Sequence, residues 1–385
     1  MRGSTHRTSR RIGTLASLAL GVAAAMFSVT PTASASDGAG GYHSCTVRSD
    51  GTLWCWGQNS TGQLGVGDEV DHSEAVRVGT LSTWSQVASA AYHNCAIKTD
   101  GTLWCWGYNS FGQLGVGDEV DRSEPVQVGS LNTWKKVVSG GYHTCGLQTD
   151  GSLWCWGDGY YGQLGNGSKS GASVPVRAGS ADDWADVEGG VRHTCAIKTD
   201  GTLWCWGFNF VGQIGIGNLT NQVKPVQVGT DTWARVSPGG YGSTCGIKTD
   251  GTLWCWGSVA VSRFDSPALE NALTPVQEST RTTTWSRVGT GWNHACATRT
   301  DGTLWCWGAN DTGQLGNGDT ADRYVPGQET TGSTLWNGVT AGSTHTCATR
   351  TDGSVWCWGN NAYGQAGNGD TKVQVKPTPV DFAVR

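Results

Sequence analysis

The sequence predicts an all-β chain, a seven-bladed β-propeller with one disulfide inside each blade. Three observations carry that expectation. The string Trp-Cys-Trp-Gly begins at Trp54, Trp104, Trp154, Trp204, Trp254, Trp305 and Trp356, a repeat of 50 or 51 residues. A period near 50 with four short β-like segments per unit is the mark of a propeller blade. Helix formers are sparse among the 385 residues, whereas Gly (59) and Trp (21) are abundant, which excludes a helical bundle. All 14 Cys fall in pairs with nine residues between them, one pair per repeat. The Trp content and the lack of low-complexity tracts argue against disorder.

Residues 1–35 read as a secretory signal peptide. Arg2, Arg7, Arg10 and Arg11 form a basic start, an apolar stretch runs from Ile12 to Val29, and Ala33-Ser34-Ala35 is an A-x-A cleavage site. Arg10-Arg11 is followed by Gly13-Thr14, where a twin-arginine signal needs bulky apolar residues, so general secretion is expected. No Cys lies near the cleavage site to carry a lipid, and no apolar run past residue 30 approaches the roughly 20 residues of a membrane helix. The leader holds four of the 26 basic residues and no acid. The remaining 22 bases against 31 acids give a net charge of −9, which disfavours a nucleic-acid partner. Residues 36–385 are then one domain of seven repeats, expected to be released, without a membrane anchor, and monomeric.

Within one repeat, Trp84 to Val87 alternates as a strand. Ala91-Tyr92-His93 turns, and Cys95 to Lys98 is a second strand. Thr99-Asp100-Gly101 turns tightly, and Thr102 to Trp106 is a third strand. A Gly-rich loop, Gly107 to Gly117, leads to Pro125–Val128, an edge strand because Pro cannot donate to a central ladder. A three-residue loop with Gly last suits a hairpin with a bulge and sets Cys95 opposite Cys105, within reach of a disulfide. The same spacing predicts Cys45–Cys55, Cys145–Cys155, Cys195–Cys205, Cys245–Cys255, Cys296–Cys306 and Cys347–Cys357. Zinc is the rival reading, but these pairs lack the clustered ligands of a structural site. Alternation points Leu103 and Cys105 to one face of the blade and Trp104 and Trp106 to the other, so each Trp pair should meet its neighbour's Leu and disulfide.

Strand direction places the G-x-x-H turns and the WG-x-N-x-x-GQ loops on one face and the seven Asp-Gly turns on the other. The Asp-Gly turns are uniform, which reads as turn geometry. The loop face varies. Its turns carry Tyr42, Tyr92, Tyr142, Arg192, Tyr241 and Trp292, and its loops Tyr108, Phe111, Tyr160, Tyr161, Phe208, Phe210 and Tyr363. Rigid aromatics give large contact area at low entropy cost, so these are the candidate binding residues, with plugging of the funnel as the plainer role. The fifth repeat departs most: Ser258 to Pro267 keeps none of the Gly-Gln signature, and Ser243 stands where the other repeats have His. Arg263, Phe264 and Asp265 there offer a charge, an apolar anchor and a counter-charge, while simple decay is the plainer reading, because a closed ring tolerates one irregular loop.

Six His (43, 93, 143, 193, 294, 345) precede the first Cys of their repeats. A ring of seven blades spaces such positions too widely for one metal ion, so each should be structural, bonded to a neighbouring blade's backbone. The acidic stretches at Asp68, Asp118 and Asp319 lack EF-hand spacing. No G-x-S-x-G, H-E-x-x-H or P-loop occurs. Neither a metal, a cofactor nor a catalytic residue is therefore expected.

The pattern DGTLWCWG-x-N-x-x-GQLG-x-GD, then P-V-x-V, then W-x-x-V-x-x-G-x-x-H, resembles the regulator of chromosome condensation repeat from about Gly41 to Val380. That resemblance implies a seven-bladed propeller. The paired cysteines depart from the family, where those positions are usually apolar, and fit an exported branch. The founding member's exchange-factor activity is not implied for a secreted, acidic chain. The secreted beta-lactamase inhibitor protein II type is more distantly similar, and binds a protein through one face of its propeller. The expectation is a secreted, non-catalytic scaffold that recognises an extracellular protein through one loop face. A lectin-like propeller binding a glycan of the cell envelope is the alternative, and an enzyme using the central channel the second alternative.

The repeats also contain only six W-x-x-V strands. Asp381 to Arg385 should therefore lie beside the blade of Cys45–Cys55, with one strand short or replaced.

Overall fold

The computed structural model of the chain describes residues 1–4, 36–240, 242–258 and 271–382. The chain divides into two compact units, 1–32 and 33–385. Of the first only residues 1–4 are described, and they are exposed and without regular structure. No described helix is long and apolar enough to cross a membrane.

The second unit is built from strands alone among its described residues. Each blade is an antiparallel sheet of four strands taken in chain order. In the second blade these are Trp84–Ser89, His93–Lys98, Leu103–Gly107 and Arg122–Gln127. Five blades stand as separate four-stranded sheets, and two are joined in a sheet of seven. The joint is one long strand, Gln222–Pro238, which pairs first with the fourth blade (Trp204 opposite Gln227) and then with the fifth (Val236 opposite Gly246). Seven blades result. The W-x-x-V strands are innermost and line the axial channel, and the Pro-bearing strands are outermost, where a missing N–H costs no ladder bond.

Hairpin register is as the Asp-Gly turn requires. Gly101 sits at φ 80°, a conformation open to glycine without strain, and Cys95 lies opposite Cys105. All seven disulfides form within their blades, with Cα atoms 4.0–4.1 Å apart, and no cysteine is free.

The core is a set of layers between blades. Leu53, Cys45 and Cys55 of the first blade pack with Trp84, Trp106 and Trp104 of the second, and the same contact recurs around the ring. The second Trp of every WCWG motif is at most 1% exposed. Burial of a side chain this size stabilises by about 3 kcal/mol.

The ring closes by substitution. The N-terminal strand Ser36–Ala39 takes the innermost place of the first blade, pairing with His43–Val47. It brings no Trp. The C-terminus supplies one ring in its place: Phe382 packs edge-on against Trp54 and Trp56, 5.8 and 6.0 Å between centroids, as Trp84 packs against Trp106 in the second blade. The Asp381 carbonyl accepts from Ala75 N at 3.2 Å. Asp381 and Phe382 thus lie on the first blade, as the missing strand predicts, and the replacement comes from both ends of the domain; residues 383–385 of that expectation lie outside the described residues.

Candidate functional site

The loop face rests on a locked layer. Asn59 Nδ2 donates to the carbonyl and side chain of Asp68, and its Oδ1 accepts from Leu64 N. Gln63 Oε1 accepts from Thr61 N at 2.8 Å, while its carbonyl accepts Trp106 Nε1 of the next blade at 3.0 Å. A Cβ on Gly65 would stand 2.5 Å from that same indole nitrogen, so only glycine fits. Every fixed letter of the x-N-x-x-GQLG-x-GD signature is thereby used by the scaffold. The acidic stretches belong to it too. Asp68, Asp118 and Asp319 cap turns through backbone N–H groups and pair with His72, Arg122 and Arg323 four residues on. Among the described residues no group of three or more His, Cys, Asp or Glu is placed to hold a metal ion.

The histidines form a relay around the ring. His93 Nε2 meets Thr144 Oγ1 of the next blade at 2.8 Å, and His143, His193 and His294 repeat the bond to Thr194, Thr244 and Thr346. His43 meets Asn94, and His345 meets Ser44 across the closure. The partner is thus a neighbour's side chain, not the expected backbone. Burial drives the pKa of each down to about 3 or 4. One link is missing, between the fifth and sixth blades. Ser243 replaces the His, and Ala295, fully buried, replaces the hydroxyl it would bond. Both partners are absent together, so the change leaves no orphaned imidazole.

Above this layer lie the aromatic residues, in three clusters. Tyr92, Tyr108, Phe111 and Tyr142 touch one another edge-on or tilted, 5.4–6.5 Å apart. Tyr160, Tyr161, Phe208 and Phe210 form a second group, with the Arg192 guanidinium 5.3 Å from the Tyr161 ring. Tyr42 meets Tyr363 and Trp292 in the third. Tyr160, Phe210 and Phe111 are 69%, 61% and 43% exposed, whereas Tyr42, Tyr92 and Tyr142 are half-buried. All of these rings therefore pack on neighbours, and some also present a large part of their surface to solvent. Trp292 is one position earlier in its turn than Tyr42. Asn293, not Trp292, offers the carbonyl that accepts from the following loop, as Tyr42 does. Its indole accordingly lines the narrow axial neck beside Gly240. Tyr241, Arg263, Phe264 and Asp265 lie outside the described residues.

Two features were not read from the sequence. On the Asp-Gly face a cation sits between two aromatic rings: Lys98 Nζ is 3.6 Å from the Trp104 centroid and 5.0 Å from Trp84. Arg48, Lys198, Lys248, Arg299 and Arg350 repeat this in their blades, and Gln148 stands at the position in the third. The signal was present as a cation three residues after the first Cys. The second feature is the channel, a cavity of about 730 Å³ whose charged lining comes from the third position of W-x-x-V and its neighbours: Lys135, Lys136, Glu188, Arg235 and Arg287. Lys136 reaches Asp186 at 2.5 Å and Glu188 at 2.6 Å. Burial alone would lower its pKa, but the two carboxylates outweigh burial and hold it up.

The chain is similar over 98 residues to the ultraviolet-B receptor UVR8 of Arabidopsis thaliana, at 35% identity; this covers 25% of the chain and 22% of that protein. The chain thus matches only about a fifth of that relative's length. Its fold is that of human WBSCR16 (TM-score 0.77, 21% identity, 86% of this chain and 94% of that one). It is also that of yeast RCC1 (Prp20) as seen bound to Kap60 (TM-score 0.76, 16% identity, 99% and 91%). The model of the regulator of chromosome condensation (RCC1) repeat matches residues 50–97, 100–147, 150–197, 200–245, 301–349 and 352–385, well over half of the chain. By its repeats, its blade architecture and its loop signature, the chain belongs to the RCC1 repeat family.

Proposed function

We propose that this chain is a secreted, non-catalytic propeller that binds an extracellular protein through its loop face. The observation that carries this reading is the division inside each loop. The repeated Asn, Gln and Gly are consumed by the scaffold, and the residues that differ between blades include exposed aromatics. A differing set favours one asymmetric partner over a repeated sugar site. The yeast relative, similar in fold, is a propeller bound by another protein. Seven disulfides favour an oxidising compartment, and cleavage after Ala35 would leave Ser36, the start of the first strand, as the new N-terminus.

Within that surface the fifth-repeat loop, with Arg263, Phe264 and Asp265, is the proposed centre of contact. The paired replacement at Ser243 in the same repeat and Ala295 in the next supports a blade adjusted as a unit, not one in decay. The test is a photo-crosslinking residue placed at position 210 on the loop face or 100 on the opposite turn, presented to proteins of the producing organism's surface and medium. A protein crosslinked from 210 and not from 100 is expected. Grafting the fourth repeat's loop, Phe208 to Gly217, over the fifth should abolish that crosslink while the fold persists. Capture of glycan alone, in a glycan-array arm of the experiment, would shift the reading to the lectin-like alternative.

A further inference from the structure

Charge in the axial channel is confined to one side. Along the inner strands the third residue of W-x-x-V is Gln86, Lys136, Asp186, Arg235, Arg287 and Gly338 in turn. Gln86 is engaged with the backbone of Val137, donating through Nε2 and accepting through Oε1. Lys136 is held by Asp186 and Glu188. The two arginines have no such partner. Arg235 donates to its neighbour's carbonyl, Ala234 O, at 3.3 Å, and among the described residues no ion pair includes Arg235 or Arg287. Both line the same cavity. Arg287 is half-buried, and burial followed by the charge of Arg235 disfavours its protonated form.

Two guanidiniums that face one space repel each other, Arg287 also bears a desolvation cost, and the Glu188 carboxylate near Arg235 is already engaged by Lys136. An oxyanion shared between them relieves both, because guanidinium forks match the oxygens of phosphate, sulfate and carboxylate. The surrounding sign agrees. Lys135, Lys136, Arg235 and Arg287 stand against Asp186 and Glu188, an excess of positive charge in a chain whose net charge is −5. The cavity volume accommodates a small hydrated anion with room to spare.

We infer that the channel at the fifth and sixth blades is a binding site for a small oxyanion, held jointly by Arg235 and Arg287. The site is separate from the loop face and stands whether or not a protein docks there.

The experiment is thermal unfolding of the full chain in chloride, inorganic phosphate, sulfate and malonate at matched ionic strength. The oxyanions should raise Tm over chloride in a saturating manner, since a ligand that binds only the folded state stabilises it logarithmically. Phosphate acting more strongly than malonate would identify a phosphate-bearing ligand, and the reverse order a dicarboxylate; either supports the site. Arg287→Gln should weaken the apparent affinity about tenfold or more. Arg287→Glu should raise Tm in chloride alone and abolish the oxyanion response, because it replaces the repelling guanidinium by a carboxylate free to pair with Arg235. Broadening of the phosphorus NMR line of inorganic phosphate by the unaltered protein gives a reading that needs no variant. Equal effects of chloride and phosphate on the unaltered protein, with no line broadening, would overturn the site. So would a full phosphate response in Arg287→Glu.

Discussion

The two faces of this propeller are drawn from the same seven repeats and leave different things free. On the turn face each Asp-Gly corner is identical in use: the Asp Oδ1 accepts from the backbone N–H two residues on, from Asp50 to Asp352. The cations beside those turns are clamped between rings. On the loop face the repeated residues are equally occupied, but between them stand side chains that differ from blade to blade and are open to solvent. Repetition in a closed ring therefore marks scaffold, and variation on a locked platform marks the surface left for recognition.

The platform itself should fail in acid, and this is the largest effect expected. The six buried histidines have folded pKa values near 3–4, below the ordinary value of 6.5. Folding holds them neutral, so the unfolded chain binds more protons once pH drops below about 6.5. Stability is full above that point and falls as pH drops from there toward 4, by about 1.4 kcal/mol per pH unit for each histidine. Denaturant titrations at stepped pH should show this steep loss. His143→Gln should reduce the proton uptake on unfolding by about one. Stability that stays level from pH 7 to 5 would contradict the relay.

Within a single loop the contrast sharpens. Asn109→Ala removes a buried side chain that accepts from Leu114 N and donates to the carbonyls of Asp118 and Val120. It should cost about 3 kcal/mol, since the bonded backbone groups are left unsatisfied. Phe111→Ala, two residues on and 43% exposed, should change stability by less than about 0.5 kcal/mol. Chemical denaturation of both variants decides it; comparable losses would mean that the exposed rings are scaffold.

Replacing Cys95 and Cys105 together by Ala should cost about 2 kcal/mol. This is below the roughly 3 kcal/mol of the chain-entropy value for an 11-residue loop, because the hairpin already holds the two residues together. The smallest effect tests the turn face. Gln148→Lys would place a cation beside Trp134 and Trp154, as Lys98 stands by its own pair, and should stabilise by about 0.5 kcal/mol. No gain in Tm would show that the clamped cations only follow the scaffold.

Much of this was legible in the sequence because a repeat is its own internal control. The WCWG period set the blades, Gly101 and its equivalents set the hairpin register, and Cys95 opposite Cys105 followed. The count of six W-x-x-V strands located the closure, but not Phe382 as the ring that fills it. That contact joins residues over 300 positions apart and breaks the repeat, so no periodic pattern announces it. The partner of each histidine was missed for a related reason. The Thr, Asn or Ser lies one blade on, and which atom it offers depends on how blades stack. The channel arginines were visible as letters, yet they acquire meaning only once the W-x-x-V strand is known to be innermost. Trp292 was grouped with Tyr42 by its neighbourhood in sequence, and the backbone hydrogen bonds separate the two.

The central claim is that recognition belongs to the loop face. It is tested most directly by the affinity of the crosslinked partner for two variants, Tyr161→Ala/Phe210→Ala on the loop face and Lys98→Ala on the turn face. The account predicts that the loop-face pair weakens binding at least tenfold, about 1.4 kcal/mol, with Tm nearly unchanged. It predicts that Lys98→Ala leaves affinity unaltered. Undiminished binding by the loop-face variant, or a loss confined to Lys98→Ala, would contradict it.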